Sequence, residues 1–333
     1  MERRSVESFP EVSIVIPVYN SADFIAGTLD SVLRQTFKNY EIIVVNDGST
    51  DTEKLERVLE PYMDKIIYIK QKNRGAASAR NTAIKNSKSG YIAFLDSDDI
   101  WFPEYLEWQM KFIKERNYDL VYCDAMLFGN LKNKKFRTYM QECPSEGEVT
   151  TESLLSGRVN LITSGTLAKK NVLVKAGLFD ENLTSAFPED FDLWFRLLKQ
   201  GAKIGYQKKV LLKYRMRETG LTGSELQKAK RSLKSFEMIA SKYELSSEEK
   251  RILIEQISRA KNEVTIQRAK IQIVKENFSR AQKLLTKAHL KSPKLKFAVL
   301  IALLQISPKF VFRAFRKFRP AEFASIISNL HLY

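Results

Sequence analysis

Cysteine is nearly absent from this chain: Cys123 and Cys143 are the only two, enough for one bridge at most and too few for a thiolate metal site. That scarcity suits a reducing cytoplasm. Histidine is as rare, with His289 and His331 alone. No apolar run reaches the roughly 18 residues that a membrane-crossing helix needs. The opening MERRSVESFPEV also lacks the apolar stretch of a signal peptide. These absences exclude a disulfide-stapled secreted scaffold, a Cys/His zinc module and an integral membrane helix, and they point to a cytoplasmic location.

Residues 224–333 contain no glycine, and from Asn277 to Ala321 there is no acidic residue. This third of the chain holds 23 Lys and Arg against 9 Asp and Glu, whereas residues 1–223 hold 32 against 30, so nearly all of the net charge of +16 sits at the end. It reads as successive helices: Ser224–Tyr243, then Ser246–Lys275 opened by a Ser246/Glu249 capping box, then segments near Asn277–Leu290, Lys294–Leu304 and Pro308–Phe318. Asn277–Pro293 looks like half of a tetratricopeptide unit, but one copy makes no solenoid. At 333 residues and 44% apolar, the chain can hold one large domain, residues 1–223, and a basic helical region, 224–333.

The first hundred residues alternate strand and helix. Val12–Val18, Glu41–Val45, Lys65–Ile69 and Tyr91–Leu95 read as strands, and Ser21–Gln35, Asp51–Leu59 and Ala76–Asn86 as the helices between them. That alternation predicts an α/β domain with parallel strands and right-handed crossovers. Ligand groups should collect beyond the carboxyl ends of the strands, where the polar clusters PVYN, NDGST and DSDD fall. Asp96 and Asp98, two residues apart in an extended backbone, would leave on one side and suit a hard divalent cation. The plainer alternative is a solvated acidic turn with Asp99 capping a helix that starts near Pro103. Asp47 can accept from a base or ribose donor, and Gly48 permits a tight turn beside a ligand. Pro17 fixes the chain as it leaves the first strand, and Tyr19 can stack on a base or simply fill the core. Arg80 lies one turn into the helix after Gly75, at an end that favours anions, or forms a surface ion pair.

PVYN, NDGS, NRGAASARN (Asn73–Asn81) and DSDD, in this order, resemble the nucleotide-sugar domain of the family-2 inverting glycosyltransferases. Further on, AGLFDENL (Ala176–Leu183) and PEDFDLWFRL (Pro188–Leu197) resemble the family's acceptor half, where an ED pair supplies the catalytic base. The resemblance covers residues 11–217, with a nucleotide-sugar half at about 11–100 and an acceptor half at about 101–223. It implies the A-type glycosyltransferase (GT-A) fold, a Rossmann-like, mostly parallel sheet flanked by helices, here followed by an all-α C-terminal region. It implies a nucleoside-diphosphate sugar donor, UDP above others, with Mn²⁺ or Mg²⁺. Asp47 would then contact the base, Asp96 the ribose side, and Asp98 the metal and diphosphate.

Displacing a nucleoside diphosphate from an anomeric carbon needs neutralisation of the departing charge, which a metal on Asp98 supplies, and deprotonation of the attacking hydroxyl. Asp190 is the candidate base. It follows Pro188 and Glu189 in the first turn of a helix whose apolar face would be Phe191, Trp194, Phe195 and Leu198; the competing reading is that Glu189 and Asp190 only favour the helix's positive end. Two family features are missing. Trp194-Phe195-Arg196 stands where a Q-x-x-R-W would be, which disfavours a processive synthase, and neither histidine falls in Tyr214–Ser224, where some A-type enzymes add a metal ligand.

The expectation is therefore a single-sugar inverting transferase acting on a glycan or lipid-linked acceptor in cell-surface polysaccharide synthesis. A polyprenyl-phosphate glycosyltransferase and a non-catalytic scaffold are the alternatives. In the tail, Phe310, Phe312, Phe315 and Phe318 interleave with Arg313, Arg316, Lys317 and Arg319, a pattern for an interfacial helix on an anionic membrane surface. No nucleic-acid-reading motif accompanies it. The competing reading packs Phe297–Leu304 against the catalytic domain.

Overall fold

Val12–Val18 (β1), Tyr40–Asp47 (β2), Ile67–Gln71 (β3) and Tyr91–Phe94 (β4) form the expected parallel strands in a computed structural model that describes residues 9–130, 137–183, 189–217 and 225–328. Pro188, His331 and residues 218–224 of the Tyr214–Ser224 segment lie outside the described residues, as does Ser224 at the expected start of the first tail helix. The chain divides into two compact units that part between Met216 and Arg217.

In the first unit the sheet continues through Ile100–Trp101 (β5), Leu120–Gly129 (β6), Thr166–Lys169 (β7) and Ile204–Met216 (β8), in the order β3-β2-β1-β4-β7-β6-β8-β5. Four neighbouring pairs are parallel; β7 runs antiparallel to both β4 and β6, and β5 antiparallel to β8. β1 is buried along nearly its whole length because helices Ile25–Leu33 and Ala76–Asn86 leave it no solvated face, which is why it is mostly β-branched with no polar/apolar alternation. The chain steps from β1 to β2 to β3 on one side and returns to place β4 on the other. The crevice of this reversal lies beyond β1 and β4, where PVYN and DSDD end their strands.

Several boundaries differ from the sequence reading for local reasons. The first helix begins at Ile25 rather than Ser21, because Ala22 N–H donates to Asp51 and Phe24 N–H closes a turn on Ser21. β3 begins two residues late, after a 3-10 turn at Glu60–Tyr62 that carries Pro61 in its first turn. The DSDD segment is not extended: β4 stops at Phe94, and Asp99 N–H bonds the Asp96 carbonyl at 3.1 Å, closing a turn over Ser97 and Asp98. The alternation argument for Asp96 and Asp98 therefore fails. Asp99 caps no helix either. It is buried, and the next helix, Tyr105–Glu115, starts after β5 with Glu104 at its cap position.

The second unit consists of helices Glu225–Lys242, Ser247–Val274, Phe278–Lys291, Leu295–Ile306, Pro308–Phe318 and Pro320–Ser328, the last unread in the sequence. The Ser246/Glu249 capping box forms, with Glu249 N–H donating to Ser246 Oγ at 3.1 Å and Ser246 N–H to Glu249 at 2.8 Å. Phe297 and Leu304 pack inside this unit, with Ile266, Ile273, Leu285 and Val311.

Candidate active site

The nucleotide-half clusters hold one another. Asn20 N–H donates to Ser49 Oγ at 3.1 Å, and Thr50 N–H donates to Asn20 Oδ1 at 2.8 Å, tying PVYN to NDGST. Gly48 has φ +65°, and a Cβ there would lie 2.6 Å from Asn73 N. Glycine is required by the close approach of the Asn73 backbone, not by the turn alone. Asp47 is buried and organises the next cluster: Oδ1 accepts from Gln71 Nε2 (2.7 Å) and Arg74 N–H (3.0 Å), and Oδ2 from Gly75 N–H (2.7 Å). Pro17 is half-buried inside β1, and Tyr19 is 48% exposed just beyond it, so Tyr19 is not core.

Arg80 is neither at the surface nor free at a helix end. It is buried, its Nη2 donates to Asp96 at 2.7 Å and its Nη1 to Glu189 at 2.6 Å, and its guanidinium lies 5.5 Å from the Phe179 ring centre. Burial works against the Arg80 charge, but Asp96 and Glu189 outweigh it and hold the group firmly protonated. One arginine thus bridges the acidic turn and the ED pair.

Two further sets of contacts, not readable from the sequence, make the same connection. The 3-10 turn Thr163–Gly165 offers Ser164 Oγ to Asp96 N–H (3.0 Å), while Thr163 Oγ1 donates to Asp190 Oδ2 (2.7 Å). That turn is fixed from behind by Trp101 Nε1 and Gln109 Nε2, which donate to the Ser164 and Gly165 carbonyls at 2.8 Å each. Phe94, Phe179 and Trp194 meet edge to face with ring centres 5.5 to 6.4 Å apart, joining β4, the AGLFDENL segment and helix Glu189–Lys199. The buried side of that helix is Asp192, Leu193, Trp194, Phe195 and Leu197, with Phe191 and Leu198 only half-buried. Asn81, from the NRGAASARN run, donates to the Phe179 carbonyl (2.8 Å) and Glu181 (2.9 Å). Arg196 pairs with buried Asp192 at 2.8 Å and donates to the Ala176 and Leu178 carbonyls, so it braces the acceptor-half loop.

Asp190 is half-buried, with Oδ1 accepting from Phe191 N–H at 2.8 Å. The helix-end reading is therefore part of its environment. Burial and then the neighbouring Glu189 charge push its carboxyl above the usual carboxylate range, only partly offset by Thr163 and Arg80. Such a group is a better proton acceptor than an exposed aspartate. On the other side, burial and then Asp98 and Asp96 push Asp99 well up, and Asp99 Oδ1 accepts from Arg215 N–H at 2.8 Å. Arg215 Nε also donates to the Asp98 carbonyl at 2.8 Å, with its guanidinium between the Phe24 and Phe128 rings. It fixes the acidic turn, and no sequence signal marked it.

Arg80 thus holds Asp96 and Glu189 with Asp190 nearby, while Asp98 and Asp99 share the Asp96 turn and are held by Arg215. Burial first, and then Asp98 and Asp96, raise the Asp99 pKa, and the carboxylates of this turn are hard oxygen donors of the kind a divalent ion takes. Among the described residues no group of three or more His, Cys, Asp or Glu is arranged to hold one. An ion held here would take one or two of these carboxylates and complete its shell with substrate oxygens and water.

Residues 13–173 match the family model described as glycosyl transferase family 2. The chain is 38% identical over 220 residues to an uncharacterized glycosyltransferase of Rickettsia typhi, covering 65% of this chain and 67% of that one. Other Rickettsia relatives are matched over about a third of their length. It is 30% identical over 225 residues to UDP-Glc:alpha-D-GlcNAc-diphosphoundecaprenol beta-1,3-glucosyltransferase WfgD of Escherichia coli, covering 66% of this chain and 83% of that one. Among solved structures, the mannosyltransferase PcManGT of Pyrobaculum calidifontis, in complex with GDP-Man and Mn²⁺, superposes with a TM-score of 0.61 at 17% identity, over 97% of this chain and 87% of that one. At that identity the likeness shows the fold alone.

Proposed function

The chain belongs to glycosyltransferase family 2, and we propose that it moves one sugar, with inversion, from a UDP-sugar to a hydroxyl of a glycan or lipid-linked acceptor in cell-surface polysaccharide synthesis. The observation that carries this reading is the buried Asp96–Arg80–Glu189 bridge, which brings an acidic donor turn and a raised-pKa aspartate to one crevice. The likeness to WfgD, named for a UDP-glucose donor and a diphosphoundecaprenol-linked acceptor, supports both the nucleotide and the lipid-linked acceptor.

In this reading Tyr19 stacks on the base beyond the half-buried Pro17. Asp47 receives a base or ribose donor on Oδ2, which holds a single hydrogen bond here. Asp96 faces the ribose side, with Arg80 holding its carboxylate. Asp98 would hold Mn²⁺ or Mg²⁺, which when bound neutralises charge on the departing diphosphate. Asp190 takes the proton of the acceptor hydroxyl as that oxygen bonds to the anomeric carbon. The bond to the nucleoside diphosphate breaks on the opposite face, and the diphosphate leaves with the electron pair.

UDP-sugar with Mn²⁺ is expected to raise the melting temperature, as any ligand of the native state does, and to be turned over with a glycan acceptor. Asp98→Asn should fold normally, because Asp98 is part-exposed in a turn that Arg215 holds through the backbone carbonyl. It should nevertheless lose most metal-dependent UDP affinity in calorimetry. Unchanged affinity and turnover would remove Asp98 from the metal.

Residues 1–223 form the catalytic domain in this reading, and the basic helical tail gives peripheral contact with the inner face of the membrane. Among the described residues no helix is long and apolar enough to cross a bilayer. Helix Pro308–Phe318 keeps Phe310 and Phe318 exposed among its cations, as an interfacial helix does. Co-sedimentation with anionic liposomes is expected, weakening with salt as each cation is screened. Charge reversal at Arg313, Arg316 and Lys317 should release the protein while activity on a soluble acceptor persists. Equal binding to neutral liposomes would refute the electrostatic contact.

A further inference from the structure

Helix Leu295–Ile306 reads LKFAVLIALLQI, apolar apart from Lys296 and Gln305, yet only Phe297 and Leu304 are buried. A helix of that kind is ordinarily covered all round. Here Leu295 and Ile306 are each 81% exposed. Beside it, bounded also by helices Ser247–Val274 and Pro308–Phe318, opens a cavity of about 770 Å³ whose wall includes Ile266, Ile273, Leu300, Leu303, Val311 and Phe315. That volume lies within the range of small-molecule sites.

The charged residues on the lining are not balanced. Lys270 is paired with Glu322 at 2.5 Å, and Glu263 accepts from Gln267 at 2.7 Å. Lys294, Lys296 and Arg319 also stand on the lining, exposed, and none of them has a carboxylate partner among the described residues. Lys294 and Lys296 lie over the Phe297 ring at 6.0 and 5.3 Å, at the point where the apolar wall meets solvent. An apolar wall with unpaired cations at its edge complements a molecule that is hydrocarbon at one end and phosphate at the other.

We propose that this cavity takes the hydrocarbon chain of a lipid phosphate or diphosphate, and that Lys294, Lys296 and Arg319 receive its anionic head. The proposal deepens the transferase reading, on which it rests for one point only, that the lipid is the carrier of the sugar acceptor. Chain and head have separable signatures. Each methylene removed from water should raise affinity about fourfold until the wall is filled, and each cation near the head should contribute about fivefold.

The test is calorimetry of the full chain with decyl phosphate below its micelle concentration, against octyl phosphate, decyl maltoside and inorganic phosphate. One decyl phosphate per chain is expected, bound about fifteenfold more tightly than octyl phosphate, with decyl maltoside weaker and inorganic phosphate silent. Leu303→Trp, which fills the wall, should abolish the dependence on chain length. Lys294→Gln with Arg319→Gln, both at exposed positions where folding is not at issue, should weaken decyl phosphate about twenty-five-fold and leave decyl maltoside unchanged. No saturable binding by the unsubstituted protein overturns the proposal. So does equal binding of inorganic phosphate, which would mean a surface anion site, and so does a concentration-dependent dimer whose dissociation uncovers the cavity, which would make a second copy the occupant. Turnover of UDP-sugar on a soluble acceptor separates the two readings: its persistence beside failed decyl phosphate binding sinks the cavity alone, and its absence sinks the transferase.

Discussion

Asp190→Asn is expected to leave affinity for the nucleotide sugar near that of the unsubstituted protein and to lower turnover by about 10²–10⁴-fold, the span typical of losing a general base. The substitution is gentle on the fold. An amide oxygen can still accept from Phe191 N–H, and the Thr163 hydroxyl can turn to accept from the new amide nitrogen, so both partners of the carboxylate stay satisfied. Only the capacity to take a proton is removed. The pH profile gives a second readout. Burial and the Glu189 charge raise the Asp190 pKa, and the group works only when ionised. Turnover should therefore fall as pH drops through that raised value, on a limb lying above the ordinary aspartate range near 3.9. Glu189→Gln removes the repelling charge and frees Arg80 to face Asp190, so the limb should move to lower pH. Asp190→Asn should have no such limb. The sign for stability is the reverse of that for activity. The folded chain holds the Asp190 proton more tightly than the unfolded chain, so its contribution is full below the unfolded pKa and is lost as pH rises through the folded one. Wild-type turnover in the Asn variant would reduce Asp190 to a helix-end residue.

The sheet was legible because its order is written in local patterns. Apolar runs separated by single amphipathic segments predict parallel strands; Val12–Val18 and helix Ala76–Asn86 fall where the residues put them, and the fourth strand, read as Tyr91–Leu95, ends one residue earlier at Phe94. The tail was legible as helices for the same reason, with no glycine to stop them and a capping box at Ser246 to start one. The DSDD segment was visible as an acidic cluster, but its conformation was misread. Period-two alternation holds only while the ladder continues, and pairing of β4 with β1 stops at Phe94. What joins the site was not legible. Phe94, Phe179 and Trp194 are core aromatics in three separate segments, and their edge-to-face contacts leave no periodic trace. Thr163 and Ser164 sit in a single 3-10 turn with no repeat and no charge. Arg80 was marked as basic, but its partners lie 16 and 109 residues away. Such contacts exist only once the sheet has formed, so residues were found more readily than roles.

Arg80→Met carries the largest expected loss of stability. The Arg80 side chain is 6% exposed and holds two carboxylates, Asp96 at 2.7 Å and Glu189 at 2.6 Å. Removing one member of a buried ionic group leaves the others desolvated and unpaired, at a cost of about 3–5 kcal/mol. Asp96 is a third exposed and can regain water, so the lower end, about 3 kcal/mol, is expected from urea unfolding. The replacement is nearly isosteric along the stem and keeps a contact with Phe179, so the loss reports charge rather than volume. Two companions separate pairing from packing. Arg80→Lys keeps the charge, but a single ammonium cannot match the planar fork that reaches two carboxylates at once, so it should lose part of the stability and most of the activity. Arg80→Met with Glu189→Gln leaves one fewer stranded charge and should recover stability relative to Arg80→Met, without recovering turnover, because Asp96 and the acceptor-side helix would no longer be tied together. If Arg80→Met unfolds within about 0.5 kcal/mol of the unsubstituted protein, as an ordinary surface change does, the bridge contributes nothing. The crevice must then be organised by the Thr163–Gly165 turn and the aromatic cluster alone.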